Sequence, residues 1–211
     1  MKVTVLGATG GIGTEFVRQA LDQGWHVTAV VRDPARLAVA AHDRLEVVTA
    51  GLDDHEALVG AATGRDALVS TLGARDRGPT TVCQDGARAA IAALRAADVR
   101  RLVVVSASGM HTTGDGVVTR TVVKPLLGRW LRHGFADMLA MEDLVMATDL
   151  DWTIVRPPML TNRPRTGEVA ERLDGNVRGA FSITRADAAG FLLKAVSEGG
   201  LIGASVSIAH G

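Results

Sequence analysis

The chain of 211 residues is long enough for one α/β domain with a substantial buried core, and its 23 basic side chains balance its 23 acidic ones, so bulk charge points to no nucleic-acid partner and no membrane surface. The single cysteine, Cys83, excludes an internal disulfide, and no apolar run approaches the roughly 20 residues of a membrane span. Lys2 leads directly into a core strand with no signal-peptide apolar region before it, so the expected setting is a reducing cytoplasm, the expected partner a small molecule, and the expected state a monomer or homodimer.

Residues 1–6 read as a short buried strand, and Gly7, Ala8, Thr9, Gly10, Gly11, Ile12 and Gly13 follow before Thr14 opens a helical pattern. A strand, a glycine turn and a helix N-terminus suit a pyrophosphate. Glycines let the backbone approach the phosphates, while free N–H groups and the positive end of the helix dipole face them. The spacing is Gly7-x-x-Gly10-x-x-Gly13 rather than the commoner G-x-G-x-x-G, and taken alone it also fits an ordinary strand-to-helix turn. Phe16, Val17, Ala20 and Leu21 recur at helical spacing, and Gly24 stands where a helix C-terminal glycine belongs.

Residues 26–31 are β-branched and apolar and read as a buried parallel strand ending at Arg32-Asp33-Pro34. Asp33 lies twenty residues beyond Gly13, where ribose recognition is expected, but Arg32 at the strand tip favours a 2′-phosphate and hence NADP(H). The alternative is a surface pair between Arg32 and Asp33. Residues 45–50 form a third strand, and Asp54 caps a short helix over 55–62. Leu52 and Asp53 border the adenine in this reading or are turn residues. Residues 66–73 form a fourth strand, whose end at Leu72, Gly73, Ala74 and Arg75 runs close to the cofactor.

Thr80 or Thr81 caps the next helix, with Ala87, Ala90, Ile91 and Leu94 in one stripe. Residues 101–105 are a central fifth strand running into Ser106 and Ser108, two hydroxyls placed where substrate and nicotinamide would meet or where they merely bond the turn. Residues 112–133 mix Arg120, Lys124, Arg129 and Arg132 with apolar side chains. A membrane-surface stripe would look similar, but Pro125 interrupts it, and a lid or pocket wall is the simpler reading. Met138, Met141 and Val145 mark a helix, residues 151–156 a sixth strand stopped by Pro157-Pro158, and residues 166–182 a hairpin turning at Asp174-Gly175. Thr184 caps a last helix before a closing strand at 205–209. Strands alternating with helices, about seven in all, describe the α/β class with a doubly wound parallel sheet in one domain, residues 112–133 and 157–182 being the pocket segments.

With these segments in place the sequence resembles the atypical short-chain dehydrogenase/reductases, most nearly their biliverdin-IXβ reductase/flavin reductase branch. The likeness rests on Leu6-Gly7-Ala8-Thr9-Gly10, on Val30-Val31-Arg32-Asp33, on Leu72-Gly73-Ala74-Arg75 with residues 79–82 and 86–88, and on residues 173–175 with 183–187. It implies a Rossmann domain holding NADP(H), lined by the glycines, Arg32, Leu72, Gly73, the Ser106 to Ser108 turn and Pro157. Two departures stand out. The chain has no tyrosine, so the Tyr-x-x-x-Lys proton donor of the wider superfamily is missing and Phe135 and Leu139 stand where it would be sought. Met159, not histidine, follows the paired prolines, which argues against biliverdin.

A flavin or another conjugated acceptor can take hydride and draw its proton from water, so reduction does not require that tyrosine. Ser106, Ser108, His111 and Lys124 are the side chains that could assist, the alternatives being that His111 is structural and Lys124 solvated. The other histidines lack metal-ligand spacing, and no metal is assigned. Three functions follow in order: an NADPH-dependent reductase of a flavin-like or conjugated acceptor, a non-catalytic NADP(H)-binding sensor, and a non-redox isomerase or cyclase.

Overall fold

In the computed structural model, which describes residues 1–117, 119–173 and 175–210, alternating strands and helices build one layered α/β unit. The strands are β1 (Lys2–Leu6), β2 (His26–Val31), β3 (Leu45–Thr49), β4 (Ala67–Ser70), β5 (Arg101–Val105), β6 (Asp151–Arg156), β7 (Met159–Thr161), β8 (Ala170–Leu173), β9 (Ser182–Thr184) and β10 (Ala204–Ala209). The helices are α1 (Gly11–Asp22), α2 (His55–Ala62), α3 (Val82–Ala96), α4 (Lys124–Trp130), α5 (Arg132–Met146) and α6 (Arg185–Ser197). The main sheet runs in the order β3-β2-β1-β4-β5-β6-β10-β8, parallel except for β8 at its edge. Strand order reverses between β1 and β4, the switch point at which such sheets bind ligands outside their carboxyl ends.

Burial explains the layering. Successive side chains of a strand face opposite ways. Val3, Val5, Val69, Val103 and Val155 therefore join Phe16, Val17 and Leu192 of α1 and α6 on one face, while Leu6, Leu68, Leu102, Val104 and Ile154 join α2, α3 and α5 on the other. Both faces are covered, which is why the strands read as continuous apolar runs.

All seven expected strands form. The expected hairpin over 166–182 does not: β8 pairs antiparallel with β10, and β9 pairs parallel with β7 in a separate two-stranded sheet. Alternation marks a strand but not its partner, and here the open edge of β10 and the segment after Pro158 took the two halves. Of the Asp174-Gly175 turn, Asp174 lies outside the described residues. The helix caps also differ from expectation at one end. Asp54 caps α2 by accepting from Ala57 N–H, and Thr184 caps α6. At α3 the Thr80 hydroxyl accepts the Val82 N–H at 3.3 Å, but the Thr81 hydroxyl donates to Asp85, and the free N–H groups of Cys83 and Gln84 are taken by the buried Asp137 of α5 at 2.9 and 3.0 Å.

Candidate functional site

The turns after β1 to β6 share the carboxyl edge of the sheet, so most of the residues singled out in the sequence meet there. After β1 the chain turns at Gly7, whose φ of +81° disfavours any side chain. A Cβ at Gly13 would stand 2.7 Å from Thr71 Oγ1 and 2.9 Å from Ala8 Cα, and closer still to the Gly7 carbonyl. These glycines let α1 begin directly against the turn. No side chain caps α1, and Thr14 N–H is the first to bond back, to Gly10. The N–H groups of Gly11, Ile12 and Gly13 are thus left for a ligand. That is the fit a dinucleotide pyrophosphate needs.

Arg32 is exposed at the tip of β2, and Asp33 turns away to accept from Ala35 N–H at 3.1 Å, so the idle Arg32–Asp33 pair does not form. Leu52 and Leu72 approach each other above Gly86 of α3, where a Cβ would strike Leu72 Cδ1 and lie 3.9 Å from Leu52 Cδ1. They form an apolar shelf beside the turn, and Asp53 lies next to it. Beyond Leu72, Gly73 is open, Ala74 lies against Gly134 of α5, and Arg75 is exposed at the rim. Pro157 is buried, and its carbonyl accepts Ser108 N–H at 2.9 Å, tying the ends of β5 and β6 together.

On the β5–β6 side lies a cluster of polar side chains. Arg156 at the end of β6 grips Glu142 of α5 through Nε at 2.9 Å and Nη2 at 2.7 Å, and His111 Nε2 lies 3.1 Å from Glu142 Oε2. Burial alone would push the Glu142 carboxyl up. The hydrogen bonds from His111 and Arg156 outweigh it and hold the group at about 2.

Lys124 is not solvated, contrary to expectation. Its ammonium pairs with Asp115 at 2.6 Å and also donates to the carbonyls of Ser108 (3.0 Å) and His111. Asn176 Nδ2 reaches the His111 carbonyl at 2.6 Å and Asp115 at 3.0 Å. His111 is therefore held from both its backbone and its ring. The hydroxyls of Ser106 and Ser108 do not bond the turn, and buried Ser106 Oγ has no hydrogen-bond partner among the described residues.

The structure brings His111, Ser106, Ser108 and Lys124 together and adds Glu142, Arg156, Asp115 and Asn176, which the sequence reading had not singled out. One signal was available for Glu142: with Asp137 it sits among the buried positions of α5 beside Met141 and Val145, where an acid without a partner would be costly. The segments 112–133 and 157–182 touch where Asn176 meets Asp115. Arg77, beyond β4, stacks 3.7 Å over the Trp130 ring of α4. A shallow cleft of about 340 Å³, lined by Thr80, Gln84, His133 and Asp137 among others, opens between the starts of α3 and α5 at the same edge. Among the described residues no group of three or more His, Cys, Asp or Glu could hold a metal ion, and no helix is long and apolar enough to cross a membrane.

The sequence model of a family described as NAD(P)H-binding matches residues 7–199. The chain is 32% identical over 183 residues to the uncharacterized sugar epimerase YhfK of Bacillus subtilis (strain 168), covering 82% of this chain and 79% of that one. It is 33% identical over 162 residues to a ceramide reductase of Caulobacter vibrioides, a match that spans 75% of this chain but 46% of that protein. Among solved structures, the oxidoreductase ylbE from Lactococcus lactis superposes with a TM-score of 0.81 at 21% identity, covering 100% of this chain and 91% of the other. A short-chain dehydrogenase/reductase from Veillonella parvula DSM 2008 in complex with NADP gives 0.79 at 19% identity, covering 99% and 94%. At these identities the structural matches speak for the fold.

Proposed function

The chain belongs to the NAD(P)H-binding family, and on that premise we propose that it is an NADPH-dependent reductase of a flavin-like or other conjugated small molecule. The observation that carries this reading is the hydrogen-bonded cluster of His111, Glu142 and Arg156 at the ends of β5 and β6, on the same sheet edge as the glycine turn. The reduced nicotinamide supplies a hydride when bound. Everything else falls to the chain's own residues. The first-turn N–H groups of α1 hold the pyrophosphate, Leu52 and Leu72 flank the adenine, and Arg32 takes the 2′-phosphate as a planar charged fork.

Residues 112–133 and 157–182 close the acceptor side against water. A carboxylate only accepts, so the His111 nitrogen facing Glu142 carries a proton and Nδ1 is the atom left to exchange one with an acceptor. The relatives support a redox or epimerising site without naming this chain's substrate, since one bears the name of a ceramide reductase and the other of a sugar epimerase.

The test is NADPH consumption with free flavins, quinones and conjugated enones as acceptors, scored in wild type and in Arg32→Ala. Turnover with at least one acceptor, and a loss in the variant far larger for NADPH than for NADH, is the expected result. Tight NADPH binding with no acceptor consumed refutes the reductase. Equal losses with both nucleotides refute the role given to Arg32. The missing tyrosine and the likeness to YhfK favour one second reading, a non-redox isomerase or epimerase, which would interconvert its substrate with no net loss of NADPH.

A further inference from the structure

Arg185, the first residue of α6, lies across the glycine turn. Thr184 caps this helix, its hydroxyl accepting Asp187 N–H at 2.9 Å and donating to the Asp187 carboxylate at 2.7 Å, and this fixes where Arg185 leaves the backbone. Because α6 packs beside α1, the Arg185 side chain reaches the first turn of α1. Its Nε stands 2.6 Å from where a Cβ on Gly11 would be, its Cδ closer still, and its Cζ 3.7 Å away. Gly11 therefore does more than admit a ligand: any side chain there would displace Arg185.

The guanidinium is badly placed for an arginine that serves only the fold. It sits beside the uncapped positive end of α1, whereas cations are favoured at the opposite end of a helix dipole. Among the described residues its hydrogen-bond partner is the neutral amide of Asn162, whose Oδ1 accepts from Nη1 at 2.6 Å. An uncapped positive helix end and a guanidinium held by an uncharged amide converge on one spot, and an anion there would satisfy both.

We propose that Arg185 is a pyrophosphate-binding residue, closing over the dinucleotide's phosphates from the side opposite the Gly7 to Gly13 turn, with Asn162 holding it in place before the nucleotide arrives. This rests on the family's nucleotide binding and not on the reductase reading. It also separates two arginines by chemistry. The pyrophosphate is common to NADH and NADPH, so Arg185 strengthens both, while Arg32 acts on the phosphorylated form alone.

The experiment measures dissociation constants of NADPH and NADH by calorimetry for wild type, Arg185→Gln, Arg185→Lys and Asn162→Ala, with urea midpoints as a check on folding. Arg185→Gln should weaken both nucleotides by a similar factor, about 10- to 100-fold as expected for charge-assisted hydrogen bonds. Arg185→Lys should recover part of that loss, Asn162→Ala should lose less than Arg185→Gln, and inorganic pyrophosphate should compete with NADH on wild type more strongly than on Arg185→Gln. An affinity of Arg185→Gln within about twofold of wild type for both nucleotides overturns the proposal. So does a loss confined to NADPH, which would move Arg185 to the 2′-phosphate. A wild type that binds neither nucleotide sinks the cofactor site itself, an outcome distinct from either.

Discussion

Replacing Glu142 by glutamine keeps the size of a side chain that ties α5 to β6 and to His111 while deleting its charge. Folding takes this carboxyl from an ordinary 4.5 to about 2, against burial that would raise it, because Arg156 and His111 bond its ionised form. At about 1.4 kcal/mol per pH unit, that gap corresponds to about 3 kcal/mol of stability, and the group is too buried for solvent to screen much of it. The sign follows from a folded value below the unfolded one. The contribution is fully present above about pH 4.5 and drains away as the pH falls toward 2.

Glu142→Gln should therefore lose about 3 kcal/mol at neutral pH, a fall in Tm of roughly 6 to 12 °C for a chain of this size. Urea denaturation of both proteins from neutral pH to about pH 3 measures it, and the gap should shrink to roughly half or less at the acid end. A gap that stays constant over that range, or none at neutral pH, refutes the reasoning, since either would mean that Arg156 and His111 do not favour the carboxylate.

Three further outcomes follow from the same packing. Gly13→Ala places a methyl group against the Gly7 carbonyl, Thr71 and Ala8, so it should cost about 1 to 3 kcal/mol and abolish the rise in Tm that NADPH gives wild type; an undiminished rise would contradict the close approach of α1 to its turn. Gly60→Ala lies inside α2 with no heavy atom within 4 Å of the new methyl, so the urea midpoint should rise by the equivalent of about 0.5 to 1 kcal/mol, and a fall would contradict it. The Cys83 thiol, pushed up to about 12 by burial and then by Asp137, should resist Ellman's reagent in the native protein and react once urea unfolds it; rapid native labelling would show that the thiol is not sealed beneath Asp137.

The nucleotide half of the site was legible because it is local. Seven consecutive residues make the turn after β1, and the flanking runs declare themselves as strand and helix by composition alone. The strands were legible for a related reason, since a sheet covered on both faces leaves no polar alternation to confuse the reading. The other half is built from contacts that cross the chain: Arg156 and His111 stand 14 and 31 residues from Glu142, and Asn176 stands 65 from His111. Lys124 read as solvated because its sequence neighbours Arg120, Arg129 and Arg132 suggest a wet face. Its true surroundings come from the 108–115 segment, folded back by Gly114 at a φ of +90°. The hairpin failed on pairing rather than on strand character, because period-two alternation does not say which edge a strand will find.

The chain's lack of tyrosine narrows the proposed reaction further when the donors of the cluster are counted. The Lys124 ammonium donates to the Ser108 and His111 carbonyls and is paired with the charge of Asp115, so it is engaged within the cluster. Glu142 stays a carboxylate far below neutral pH and has no proton to give, and a guanidinium such as that of Arg156 does not release one. What is uncommitted among these residues is His111 Nδ1 and the hydroxyls of Ser106 and Ser108, of which buried Ser106 Oγ has no hydrogen-bond partner among the described residues. A proton supplied by this cluster therefore passes through one of those three atoms. Ser106→Ala, Ser108→Ala and His111→Asn should divide the acceptors accordingly: those that protonate from bulk water keep their rate in all three variants, and those that depend on the site lose it in one.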